Sequence, residues 1–129
     1  MMVNYFVVIA DTSSNYYNLR NPMLIIAAKH GFTVDSMGRY YDAIKGIILP
    51  ADCGDEMYAG EYYPRRFEGS ELSIEYYSWY TSKTSHATMA VVAGQFTDEY
   101  QALRQLKKLK LVYPSAFIKE AVLYNGCMH

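Results

Sequence analysis

Thr88-Met89-Ala90-Val91-Val92-Ala93-Gly94-Gln95-Phe96-Thr97-Asp98-Glu99-Tyr100-Gln101-Ala102-Leu103-Arg104-Gln105-Leu106-Lys107-Lys108-Leu109 is the stretch that decides the fold. Thr88 to Ala93 is a β-branched and small apolar run that predicts a strand ending at Gly94. Thr97 is a natural N-cap, and Asp98 and Glu99 place acid where a helix dipole favours it. Ala102, Leu103, Leu106 and Leu109 recur at spacings of three and four and predict one buried helix face. Lys107, Lys108 and Lys110 suit the last turns. Pro114 stops the helix, and Ala116 to Leu123 predicts a final strand.

The same order opens the chain. Val3 to Ala10 predicts a largely buried strand. Asn21 as N-cap, Pro22 at the first helical position and Gly31 as a left-handed stop predict a helix over Met23 to Lys29, with residues 14–20 as an earlier turn. Phe32-Thr33-Val34 opens a second strand. Two strand-helix-strand halves predict an α+β fold: two βαβ halves forming a mostly antiparallel sheet, with two helices on one face. Between them lies a long middle, residues 36–84, with Ala43 to Leu49 and Leu72 to Tyr80 as predicted strands.

Size and charge exclude several classes. The chain has 129 residues and a formal net charge of -1. That is one domain, with no global field to recruit nucleic acid or an anionic membrane. No apolar run reaches the roughly 18 residues of a membrane span, so no membrane insertion is expected. Residues 1–10 lack a basic n-region and a full apolar core, so they do not read as a secretory leader. Fourteen residues are tyrosine. Tyr40, Tyr41, Tyr58, Tyr62, Tyr63, Tyr76, Tyr77 and Tyr80 fall in the middle segment, together with Trp79.

The second half resembles a SPOR domain, the sporulation-related repeat of bacterial cell-envelope proteins. The resemblance rests on Gly94-Gln95-Phe96, on the early helical Ala102, and on Tyr113-Pro114-Ser115-Ala116-Phe117. The first half matches through Lys29-His30-Gly31-Phe32, with Ala10-Asp11-Thr12 in place of Gly-small-Phe. Residues 3–35 and 87–121 are covered, so the chain reads as one SPOR-like domain over 1–129 with a tyrosine-rich insertion at 36–84. The resemblance implies a ferredoxin-like sheet of four antiparallel strands with two helices on one side. It also implies a non-catalytic module that binds peptidoglycan glycan strands on the open sheet face. The implied location is the cell envelope or periplasm if a leader has been removed, and otherwise the cytoplasm.

Strand alternation extends that expectation to residues. Val91, Ala93, Val7, Ile9, Ala116 and Ile118 are expected to face the helices. Ala90, Val92, Phe6, Val8, Ala10, Phe117 and Lys119 are expected on the open face. So apolar a face needs a cover, either the insertion, as extra strands on or beside the sheet, or a second subunit. The alternative function is therefore a protein-interaction or homodimer module. The RNA-recognition fold shares this element order but needs aromatic rings on the central strands, which are absent here.

The candidate ligand-binding residues are Gln95, Phe117, Lys119, Tyr62, Tyr63, Arg65, Arg66, Tyr77 and Trp79. Paired arginines beside rings can hold an anionic or sugar ligand by forked hydrogen bonds and stacking. Trp79 and Tyr77 have the alternation of one strand face, and Gln95 offers an amide where its strand leaves the sheet. No residue set points to catalysis, a metal or a cofactor. His30, His86 and His129 are scattered, Cys127-Met128-His129 offers too few metal ligands, and Asp52, Asp55 and Glu56 match no calcium-loop spacing. Cys53 and Cys127 read equally as one bridge or two thiols.

Overall fold

The computed structural model describes residues 2–124. Four strands form one antiparallel sheet in the order β4-β5-β1-β6. They are β1 (Met2–Ser13), β4 (Ser73–Tyr76), β5 (Met89–Phe96) and β6 (Phe117–Tyr124). Helices α1 (Tyr16–His30) and α2 (Glu99–Leu109) connect them. A separate hairpin pairs β2 (Tyr40–Asp42) with β3 (Gly46–Ile48). The α+β fold with a mostly antiparallel sheet is as the sequence predicts. Leu19 and Met23 of α1 and Ala102 and Leu109 of α2 share one core with Val8, Ala10, Val91 and Ala93, so both helices cover the same face.

The second strand of the sheet is not where the sequence places it. Phe32 to Val34 forms no strand; Val34 makes only a single parallel bridge to Leu72. The edge position goes to β4, which lies within the middle segment and pairs with β5. Leu72-Ser73-Ile74 packs fully: Leu72 and Ile74 enter the helix-side core, while Ser73 and Glu75 are buried on the other side. The predicted strand Leu72 to Tyr80 therefore ends at Tyr76, and Tyr77–Trp79 is a single 3-10 turn.

Helix α1 starts earlier than Asn21. Asn15 caps it, its Oδ1 accepting from Tyr17 N–H at 3.0 Å and Asn18 N–H at 3.2 Å. Pro22 sits inside the helix, and the buried stripe Leu19, Met23 and Ala27 carries the helix through it. Packing of that stripe outweighs the hydrogen bond that proline removes. Gly31 closes the helix at φ 77, as read from the sequence. For α2 the cap is Asp98 rather than Thr97, and Thr97 instead donates its N–H and hydroxyl to Glu68 Oε1. Gln105, not Leu103, completes its buried face; the Gln105 amide donates to Ala93 O at 2.7 Å.

Strand β5 does not end at Gly94. It runs to Phe96, with Gly94 at φ 150, a conformation that L side chains rarely adopt. The β1–β5 register jumps between Val7↔Gln95 and Ile9↔Val92, so β5 carries an extra residue there. This bulge reverses alternation along β5: Ala93 and Phe96 both face the helices. The parity expected for β1 is inverted: Val8 and Ala10 face the helices, while Tyr5, Val7 and Ile9 face the open side. Ala90 and Val92 of β5 face that side as expected. Ala116 and Ile118 pack with the helix-side core, and Ala121 and Leu123 lie on the open face.

The open face is covered by the middle segment. Tyr80 packs into it, buried, with Tyr77 and Trp79 against it.

Candidate functional site

A buried charge network fastens the middle segment to β4. Glu75 is wholly buried in a strand whose two faces are covered, so its carboxylate needs several donors. Arg39 Nη1 and Nη2 donate to its two oxygens at 2.8 and 2.6 Å. Tyr62 O–H donates at 2.7 Å and the Arg65 backbone N–H at 3.2 Å. Arg39 thereby ties the β2 approach to the sheet edge, and it also reaches Ile74 O and Tyr63 O. Burial works against its charge, but the Glu75 hydrogen bonds and charge hold the guanidinium protonated. Arg39 was not among the residues picked from sequence. A lone acid inside an apolar strand, Ile74-Glu75-Tyr76, is the signal that demands such a partner.

Arg65 is a second buried cation. Its Nη1 donates to Glu71 O at 2.6 Å and Ser73 Oγ at 3.2 Å, and its Nη2 donates to Gly69 O at 3.0 Å. The guanidinium also lies 4.4 Å over the Phe67 ring centroid. These partners shape the 65–73 loop, and the side chain has no exposed surface. Burial pushes its pKa down, countered in part by the nearby acids Glu75, Glu71 and Asp35.

Arg66 is placed differently. Its Nη2 donates to Tyr58 O–H at 2.8 Å, and its guanidinium carbon sits 5.5 Å from the Tyr58 ring and 5.2 Å from Tyr63. The two rings meet edge to face at 4.8 Å. Arg65, Arg66, Trp79 and Gln95 line one small cavity beside Tyr5 on the open face. Four of the candidate residues are thus brought together.

A larger groove shares Trp79 with this cavity. Tyr62, Tyr76, Ser78, Trp79 and His86 line about 330 Å³. The Tyr62 and Tyr76 rings hold each other edge to face at 4.9 Å. The Tyr62 hydroxyl also accepts the Tyr76 N–H at 3.3 Å, and the Tyr76 hydroxyl accepts Ile47 N–H at 3.1 Å. The groove wall is therefore fixed from three elements before any ligand arrives. Three aromatic rings, a hydroxyl and an imidazole, with no acid, are the lining. Tyr62 and Trp79 were chosen from sequence; Tyr76, Ser78 and His86 were not. The 3-10 turn that sets Ser78 and Trp79 against the groove has no clear sequence mark.

Trp79 and Tyr77 do not share a strand face, because they belong to that turn rather than to a strand. Phe117 and Lys119 lie across β1 from β5: Phe117 pairs with Ile9, and Lys119 with Val7, which in turn pairs with Gln95. Phe117 is exposed and Lys119 is half-buried. Neither touches the groove or the small cavity. Cys53 is exposed and unbridged, while Cys127 and His129 lie outside the described residues. Among the described residues no cluster of His, Cys, Asp or Glu could hold a metal, and no helix is long and apolar enough to cross a membrane.

No protein-family model matches the chain, and neither the curated proteins nor the solved structures contain a match to it.

Proposed function

We propose that this domain is a non-catalytic binding module for peptidoglycan glycan strands, with the groove of Tyr62, Tyr76 and Trp79 as its sugar-ring site. The observation that carries the reading is the lining itself. Sugar rings present C–H faces that stack on aromatic rings, and hydroxyls that need donors and acceptors. The groove supplies three rings, the Ser78 hydroxyl and the His86 imidazole in about 330 Å³. That volume is in the range of small-ligand sites. The resemblance of residues 87–121 to SPOR domains supports the choice of glycan over other ring-bearing ligands. The apolar open face, which a dimer would need, is occupied by Tyr77, Trp79 and Tyr80 of the same chain.

Co-sedimentation with purified sacculi tests the reading. Binding is expected to rise when an amidase strips the stem peptides. Ser78→Ala combined with His86→Ala is expected to weaken it about tenfold without loss of fold, because both residues line the open groove and neither belongs to the core. Equal sedimentation with and without sacculi would contradict it.

A further inference from the structure

A second cleft shares no lining residue with the groove of Tyr62 and Trp79. It holds about 560 Å³ between the first turns of α1 and residues 34–41. Tyr17, Arg20 and Leu24, spaced three and four apart, line it along one stripe of the helix. Val34, Ser36 and Tyr40 line it from the facing segment. The Tyr16 and Tyr41 rings stack at 4.5 Å, and Tyr17 meets Tyr41 edge to face at 5.8 Å. That stack joins α1 to β2, so the cleft is formed before a ligand arrives. The 36–38 turn is held as well: Asp35 Oδ1 accepts Met37 N–H at 2.8 Å, and Arg39 Nε donates to Ser36 O at 3.0 Å. Met37 sits at φ 56, the one non-glycine residue with positive φ among the described residues. Such strain gathers at ligand clamps.

The lining states what the guest must be. Tyr17, Leu24 and Tyr40 are large apolar side chains left exposed. No acid lines the cleft, and its polar groups are tyrosine and serine hydroxyls and arginine N–H groups. The ion pairs among the described residues use Arg39 and Arg65, so Arg20 has no carboxylate partner there. A sugar chain would set hydroxyls against Met23, Leu24 and Val34, which offer them nothing. A polyproline II segment has the matching chemistry. Its pyrrolidine rings pack on aromatic faces and aliphatic side chains, its prolines bring no N–H, and its carbonyls accept from hydroxyls. The lengths agree too: Tyr17 to Leu24 rises about 10 Å along the helix, and one polyproline II turn of three residues is about 9 Å long. We propose that this cleft binds one turn of a proline-rich peptide in the polyproline II form, with an acidic side chain of the peptide on Arg20. The site does not depend on the identity of the other groove's ligand.

The test is NMR shift mapping of the full chain with two probes, a repeating Pro-Pro-Glu peptide and a repeating Pro-Pro-Lys peptide. Saturable shifts are expected at the Tyr17, Arg20, Ser36 and Tyr40 amides, with the acidic peptide bound about tenfold tighter. Arg20→Glu, at an exposed position, is expected to reverse that preference without loss of fold. Tyr40→Ser, also exposed, is expected to weaken both peptides about tenfold. Equal affinity for the two peptides would overturn the proposal, as would no saturable shift at these residues with either. Shifts there with stem-peptide-free glycan and none with the peptides would also overturn it and make the cleft a sugar site.

Discussion

Glu75 shows what a single residue can organise. Its carboxylate collects an arginine fork, a tyrosine hydroxyl and a backbone N–H inside the protein. Removing one partner of such a pair strands the other's charge. Glu75→Ala is therefore expected to cost about 3–5 kcal/mol in denaturant unfolding, and Arg39→Met about the same. The double variant is expected to lose much less than the sum of the two. The tyrosines carry a separate signature. Burial, then the Glu75 charge, raises the Tyr62 and Tyr80 hydroxyls well above 10.0. Burial, then Asp11, pushes Tyr113 up to about 12. Below pH ~10 their contribution to stability is complete. Above it the unfolded chain releases these protons first, so stability falls as pH rises from ~10 toward the raised folded values. Unfolding midpoints measured from pH 8 to 12 are expected to drop over that window, with phenolate absorbance lagging behind that of free tyrosine.

At the scale of elements, Pro22 and Gly94 are the positions where local rules and packing diverge. Pro22 leaves Asn18 O without its helical donor on an exposed turn. Pro22→Ala is expected to raise Tm, by an amount corresponding to about 1 kcal/mol or more; a lower Tm would show that the ring itself packs. A Cβ on Gly94 would stand 2.6 Å from Phe96 Cε2, at a φ of 150. Gly94→Ala is expected to destabilise by about 1–3 kcal/mol. These two residues also explain what the sequence conceals. Leu19, Met23 and Ala27 mark one stripe across the proline, but proline read as a start signal divides it. Gly94 read as a strand end hides the bulge, and without the bulge no parity argument could run along β5 to Gln95 and Phe96. Strand identity for β1, β5 and β6, the α2 period and the Gly31 stop were all legible, because each is set by neighbours in sequence. Leu72 to Tyr80 also read as a strand, but its place at the sheet edge did not, since Ser73–Tyr76 and Phe32–Val34 have similar β character and only long-range pairing with β5 chooses between them. The same holds for the groove: Tyr62, Tyr76 and His86 meet only after β4 is in the sheet.

For the whole molecule, residues 36–84 are part of the frame rather than an appendage. They supply the edge strand, the charge network and the cover of the open face. The groove stands at the junction of these three contributions, so fold and proposed function share their supports. The most direct measurement of that linkage is amide, indole and imidazole NMR shift mapping of the labelled protein, titrated with glycan strands freed of stem peptides. The account predicts saturable shifts at Ser78, the Trp79 indole, His86 and the Tyr62 and Tyr76 amides, with β6 around Phe117 and Lys119 left in place. Shifts centred on β6, or none at any residue at saturating glycan, would contradict it.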